Sequence, residues 1–261
     1  MLFFALFLTL IPPDQRSLNV WYLHHSGWMV ETDNHLLIFD YFPDELNQEN
    51  KEAVSSLLSQ MIEGANKHVL FIISHEHKDH YSNEIYQWKD LDRVQYVYGW
   101  DYNSELDSYI SAPPDSQNVT VGSLKIIRSI PATDLGSGFL ITVDDVVIFH
   151  SGDHAQWASE YKMQFRSEVD KVAEYDTKID LAFMPISRGT CGDVTTDLTE
   201  GVVYTLNKLK PRFFFPMHVR CVDKIQLYQS FTDSIKDRFS MVQFRYGTFP
   251  GEAFSISMKQ K

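Results

Sequence analysis

The 261-residue sequence predicts an α/β fold in which helices flank two packed β-sheets. Three observations carry that expectation. Continuous apolar runs such as HVLFIIS and KIDLAFMPIS read as strands buried on both faces. Segments with apolar residues spaced i, i+3, i+4 read as helices. The alternation of strands and helices occurs in both halves of the chain, and no repeat, low-complexity tract or Pro/Gly-rich linker divides them. The expected organisation is therefore one domain over residues 16–261, preceded by an apolar segment, 1–15.

That segment, MLFFALFLTLIPPDQ, has an apolar run of about ten residues, too short to span a bilayer. It lacks a positive flank and a small-x-small cleavage site. Two readings stay open: a degenerate export signal, or a segment packed on the domain or on a partner chain. A cytoplasmic location is the expectation, with export or membrane association through residues 1–15 as the alternative.

The elements follow in order. NVWYLHH and GWMVETDNHLLIFD, with a turn at Asp33-Asn34, read as a small antiparallel meander. Val54, Leu57, Leu58, Met61 and Ile62 form one apolar helical stripe. HVLFIIS then delivers the chain into HEHKDH. In the second half LKIIRSIPA is a strand, and GFLITVDDVVIFHSGD is a hairpin turning at Asp144-Asp145. A helix at about 160–176 leads to the strand KIDLAFMPIS. TDLTEGVVYTLNKLK opens on a Thr/Asp cap signal and places Val203, Leu206 and Leu209 on one face. PRFFFPMH is another buried strand, followed by a helix over 223–238 and two terminal strands.

The polar residues fall at strand ends: His75, Asp153 and His218 each follow a buried run. Such ends converge on one sheet edge, where a rigid scaffold holds loops in place. In SHEHKDH the spacing His-x-His-x-Asp-His puts His75 and His77 on one side of the backbone, since side chains alternate with a period of two. Imidazole nitrogen and carboxylate oxygen bind Zn²⁺ and its neighbours at about 2 Å. Asp79 and His80 then face a second position, and Asp153 in HSGDH and His218 in PMH supply a bridging carboxylate and a further histidine. The alternative is a solvated histidine-rich loop.

Composition narrows the function. The net charge of −12 disfavours a broad nucleic-acid or anionic-membrane surface and leaves room for a local basic pocket. Hydrophobic residues make up 44%, and the aromatic 14% falls mostly in buried-looking strands, so it reads as core. Two cysteines do not make a disulfide scaffold. Cys191 and Cys221 both lie on loops expected near the site, so a disulfide between them is an open alternative if the protein is exported.

His75, His77, Asp79 and His80, with SGD at Asp153 and PMH at His218, resemble the signature of the metallo-β-lactamase fold superfamily. The opening LHHSGWMVE…LLIFD looks like its ascorbate-phosphate lactonase-like branch. The resemblance implies a four-layer αββα sandwich of two mixed β-sheets with two divalent metal ions at one sheet edge, zinc first and manganese or iron as alternatives. It also implies a metal-dependent hydrolase that uses a hydroxide bridged by the two metals. One departure stands out. Where members of the superfamily have a third histidine for the first metal, this chain has PATDLGSGF, with Thr133 and Asp134 at that place. Asp134 is the candidate replacement ligand, and a carboxylate there makes the site harder and more anionic; otherwise it is a turn residue before Gly136.

The expected roles are then as follows. Asp79 ligates the second metal and acts as the catalytic base. His25, where the lactonase-like branch often has a histidine near the metals, is a substrate or metal-neighbouring residue, or else structural. Arg188, in SRGTCGDVTTD, holds a substrate carboxylate or phosphate. Asp40 hydrogen-bonds a ligand histidine. His150 and His154, beside Asp153, read as structural. The expected substrate is a small anionic or cyclic-ester (lactone-like) molecule. Its rivals are a phosphodiesterase or nuclease of the same fold, and a non-catalytic binding protein with a degraded first metal site. The oligomeric state is left open.

Overall fold

The computed structural model of the chain describes residues 15–259 except 65, 104–107, 190, 192 and 193. The reading of the apolar N-terminal segment therefore lies outside the described residues. The elements are β1 (Gln15–His24), β2 (Gly27–Glu31), β3 (His35–Phe39), α1 (Gln48–Gly64), β4 (His68–Ile73), β5 (Val94–Tyr98), β6 (Tyr109–Ser111), β7 (Gln117–Val121), β8 (Leu124–Pro131) and β9 (Ser137–Val143). There follow β10 (Val146–His150), α2 (Lys162–Ala173), β11 (Leu181–Pro185), α3 (Thr196–Leu209), β12 (Phe213–Met217), α4 (Gln226–Ile235), β13 (Gln243–Phe244) and β14 (Ala253–Lys259).

They build two seven-stranded sheets, β14-β1-β2-β3-β4-β5-β6 and β13-β12-β11-β10-β9-β8-β7. Each is mixed. The first is antiparallel from β14 to β3 and parallel from β3 to β6. The second is parallel from β13 to β10 and antiparallel from β10 to β7. The expected sandwich is therefore present: Trp28 of one sheet packs on Phe183 and Phe215 of the other at 5.3 and 5.1 Å between ring centroids.

Helices cover the outer faces. Val54, Leu58 and Ile62 of α1 are wholly buried against β3, β4 and β5 of the first sheet. Burying each contributes about 1.5–3 kcal/mol, which is what holds α1 in place. Phe165 and Val169 of α2, Val202 and Leu206 of α3, and Phe231 and Ile235 of α4 cover the second sheet. Thr195 caps α3, its hydroxyl accepting from the Leu198 amide at 3.2 Å. Among the described residues no helix is long and apolar enough to cross a membrane.

Some boundaries differ from the sequence reading. The helix expected at 160–176 is α2, shortened and preceded by a 3₁₀ turn over Ser159–Tyr161. The helix expected at 223–238 is α4, with one-turn 3₁₀ segments at Val222–Lys224 and Lys236–Arg238. Three further strands, β5, β6 and β7, complete the sheets; β6 and β7 each form one of their sheet's two edges, and their mixed, partly exposed side chains lack a core-facing pattern.

One polar junction ties the sheets at the end where β3 and β10 begin. Asp144, in the β9–β10 turn, accepts from the Thr32 hydroxyl at 2.6 Å, the Asn34 amide at 2.8 Å and side chain at 2.9 Å, and His35 Nδ1 at 2.9 Å. These donors outweigh burial, which alone would raise its pKa, and hold the carboxyl well below its ordinary range. Its stabilising contribution is thus complete above the ordinary carboxylate pKa and lost as the pH falls toward the lower folded value. Asp144→Asn should cost about 2–3 kcal/mol in urea denaturation at pH 7. The gap to wild type should narrow below about pH 4; an unchanged gap at pH 3 would rule out the ionised junction.

Candidate metal centre

At the opposite end of the same strands, the chain leaving β3, β4, β10 and β12 brings Asp40, His75, Asp153 and His218 to one edge. The backbone there is unusual. Asp40, His25 and His218 have φ of 41°, 53° and 75°, a region non-glycine residues rarely occupy. Gly136 has φ 67°, and a Cβ there would lie 2.2 Å from the Ser74 carbonyl and 2.5 Å from the His75 Cβ. No side chain fits between the PATDLGSGF loop and the first histidine.

The donor groups converge tightly. His80 Nε2 and His218 Nε2 lie 3.2 Å apart, and Asp153 Oδ1 is 3.2 and 3.0 Å from them. Asp153 Oδ2 faces the other way, 3.6 Å from His75 Nε2. Among the described residues, three groups of side chains could each hold a cation: His25, Asp79, His80 and His218; His75, His80 and Asp153; His77, Asp134 and Asp153.

Hydrogen bonds behind the ring fix which nitrogens point inward. The Asp40 carboxylate, fully buried, accepts from the Ser74 amide at 2.7 Å, the Ser74 hydroxyl at 2.8 Å and His80 Nδ1 at 2.8 Å. A carboxylate only accepts, so His80 Nδ1 carries a proton and Nε2 offers a lone pair. Because the Ser74 hydroxyl spends its proton on Asp40, it accepts from His75 Nδ1 at 2.9 Å, and His75 Nε2 is likewise a bare acceptor. His218 Nδ1 donates to the Ser187 carbonyl at 2.9 Å, with the same result. Three lone pairs and a carboxylate thus face one another in a buried space, and among the described residues His75 Nε2 and both ring nitrogens of His25 have no hydrogen-bond partner. Acceptors gathered this way repel unless a cation sits among them, so the residues fit divalent metal ions of the kind imidazole and carboxylate bind.

The electrostatics agree. Burial disfavours charge on His80, yet Asp153 and Asp40 outweigh it and hold its pKa up to about 9, so Nε2 takes up a proton unless a metal cation claims its lone pair. His75 goes the other way: burial and then the His80 charge push it down to about 3. For Asp79, the close approach of His25 at 3.6 Å and nearby histidine charge overcome burial and keep the carboxyl far below its usual range. Burial is the first cause that keeps His25 neutral.

The remaining expected residues fall as follows. His77 and Asp134 are half exposed at the mouth, His77 Nδ1 and Asp134 Oδ2 3.8 Å apart. Thr133 does not face the donors: its hydroxyl pins the Asp153 segment through the Ala155 carbonyl and amide at 2.7 and 2.9 Å. Asp79 Oδ2 lies 3.6 Å from both His25 Nε2 and Arg220 Nη1. His25, read from the sequence as a substrate or metal-neighbouring residue or else structural, is fully buried with its ring 4.2 Å from that of His218, which places it among the donors and away from the cleft. Arg188 is exposed and donates to the Trp157 carbonyl at 2.7 Å. It lines a cleft of about 340 Å³ with Asp134, Asp153, Trp157, Tyr161 and His218. His150 stacks on Phe39 at 4.7 Å and His154 on Phe165 at 4.8 Å, both in the core.

Sequence reasoning missed Ser74, Ser187, Trp157 and Arg220. Ser74 stood in plain view, immediately before His75, and Arg220 two residues after His218. Arg220 also pairs with Glu45. Cys191 and Cys221 are joined in a disulfide with Cα atoms 5.0 Å apart. It links the loop carrying Arg188 to the chain just past His218.

Comparison with known proteins places this edge in a wider group. The chain is 23% identical to a UPF0173 metal-dependent hydrolase of Salinibacter ruber, over 85% of this chain and 92% of the relative. It is 25% identical to the UPF0173 metal-dependent hydrolase YtkL of Bacillus subtilis, over 84% and 93% respectively. Among solved structures it superposes on Igni18, a metallo hydrolase from Ignicoccus hospitalis, with a TM-score of 0.63 at 19% identity, covering 93% of this chain and 100% of that one. That likeness is one of fold, the metallo-β-lactamase sandwich. A profile described as "Beta-lactamase superfamily domain" matches residues 19–218, from β1 to the last histidine of the ring. The chain belongs to that superfamily.

Proposed function

We propose that the chain is a metal-dependent hydrolase acting on a small anionic or cyclic-ester substrate. The observation that carries the reading is the cage of imidazole nitrogens around Asp153, in which His80 Nε2, His218 Nε2 and Asp153 Oδ1 lie within 3.0–3.2 Å of one another. Two divalent ions fit the donor set best, because the two oxygens of Asp153 face separate groups of ligands. His75, His77, Asp134 and Asp153 Oδ2 would hold one; Asp79, His80, His218, Asp153 Oδ1 and His25 would hold the other. Zinc suits the imidazole-rich second set, while the added carboxylate of Asp134 favours manganese or iron at the first. When bound, such a pair supplies an acidified water and polarises the bond under attack.

The chain's own residues do the rest. Asp79, ionised across the working pH range, orients the water and accepts its proton. Arg220, whose Nη1 lies 3.6 Å from Asp79 Oδ2, holds that carboxylate in place. Arg188 meets a substrate carboxylate or phosphate at the cleft, and the Trp157 indole forms the adjoining wall. The cleft's small volume and the acidic surface favour a small molecule over a polynucleotide. A lactone ring is the finer reading, resting on the likeness of the opening segment to the lactonase-like branch. The Cys191–Cys221 bond argues for an oxidising compartment over the cytoplasm.

Three measurements test these assignments. Elemental mass spectrometry on protein purified without added metal should find about two ions per chain, falling toward one in Asp134→Ala. One ion in both, or none, would remove Asp134 from the ligand set. Asp79→Asn should lower kcat by about 10²–10⁴-fold on a lactone panel while keeping a fold indistinguishable by circular dichroism. Turnover of bis(p-nitrophenyl) phosphate in preference to every lactone would transfer the assignment to phosphodiester hydrolysis. Finally, thiol titration of the denatured, unreduced protein should find no free cysteine, and two after reduction.

A further inference from the structure

The junction at the other end of the strands has a second property. Ser123 Oγ lies 3.0 Å from His35 Nε2, and His35 Nδ1 lies 2.9 Å from Asp144 Oδ2. His35 is wholly buried, stacked against His68 at 5.6 Å between rings, whereas Ser123 is exposed at the tip of the Gly122-Ser123 turn between β7 and β8. Asp144 cannot rotate, since Thr32 and both nitrogens of Asn34 hold its two oxygens. Its carboxylate only accepts, so His35 Nδ1 donates to it. The opposite nitrogen, Nε2, then accepts the Ser123 hydroxyl proton. Nucleophile, base and orienting carboxylate are in series, with the base in the one tautomer that can take a proton from the serine. The β3 strand between this junction and Asp40 spans about 17 Å, so the serine is remote from the metal ligands.

We propose that Ser123, His35 and Asp144 form a second, metal-independent site for acyl transfer from small activated esters. Ser123 Oγ attacks the acyl carbon while its proton passes to His35 Nε2. The carbon–oxygen bond to the leaving group then breaks, and His35 returns the proton to the departing alcohol. A water repeats the two steps, releasing the acid and restoring the serine. The Ser123 position at a turn tip admits a small ester without a shaped pocket, and Asp144 stabilises the imidazolium formed in each half-reaction.

The test uses the full-length protein with p-nitrophenyl acetate and a fluorophosphonate probe, each with and without a chelator. The expected result is chelator-resistant ester hydrolysis and a probe adduct mapping to Ser123 by peptide mass spectrometry. In Ser123→Ala the hydrolysis should fall at least about tenfold, with metal-dependent turnover unchanged. His35→Gln should abolish labelling. Because that change also touches the sheet junction, Ser123→Cys provides an independent reading: beside His35 the thiol should alkylate with a pH midpoint below the ordinary 8.5 or so. An unlabelled Ser123, ester hydrolysis that survives Ser123→Ala, or an ordinary thiol midpoint would each overturn the proposal.

Discussion

The site depends on a buried carboxylate that touches no substrate. Asp40 accepts from the Ser74 amide and hydroxyl and from His80. Through Ser74 it also sets the proton on His75. One ionised group thereby decides the tautomer of two imidazoles whose free nitrogens face the cavity. Burial alone would make Asp40 an acid of raised pKa; the positive charge of His80 outweighs that and keeps it ionised. A charge buried this deeply is tolerable only with every oxygen satisfied, and here each is. Neutralising or shortening Asp40 would leave Ser74, His75 and His80 without a common reference, which is why the second layer matters as much as the donors.

The placement of this machinery follows from the sheets. In each sheet one half is parallel, and the parallel strands β4, β10, β11 and β12 all end at the same edge. Loops leaving that edge are free to carry polar residues because the strands beneath them are apolar apart from His68 and His150. The opposite edge carries the Asp144 junction, made of turn residues from β2–β3 and β9–β10. The sandwich is therefore fastened by polar clusters at its two ends and by aromatic packing between them.

Much of this was legible in the sequence. The apolar strands, the amphipathic helices and the HEHKDH cluster announced themselves through periodicity and spacing, and the expected sandwich is the observed one. The edge strands β6 and β7 were silent because a half-exposed strand of three to five residues carries no repeating signal. Donor residues were readable because their chemistry is uncommon; the supporting residues were not. A serine before a histidine, or the carbonyl of Ser187, has no sequence signature, since its function is a matter of direction. His25 shows the same limit: its type marked it as a participant, but only its burial against His218 indicates which side of the cavity it serves. The Thr133-Asp134 departure resolved into two tasks, one residue bracing the Asp153 loop and the other facing His77.

The Cys191–Cys221 bond closes a ring of chain with a sequence separation of 30, and that ring contains all of α3 and β12. Closing a loop of this length removes about 3.5 kcal/mol of unfolded-state entropy in the chain-entropy treatment. Its topological effect is as large as its energetic one. A single peptide-bond cut anywhere inside the ring leaves one covalent molecule, in which His218 stays tethered to the segment that presents Ser187. A nick within the ring thus leaves His218 and Ser187 on one covalent molecule.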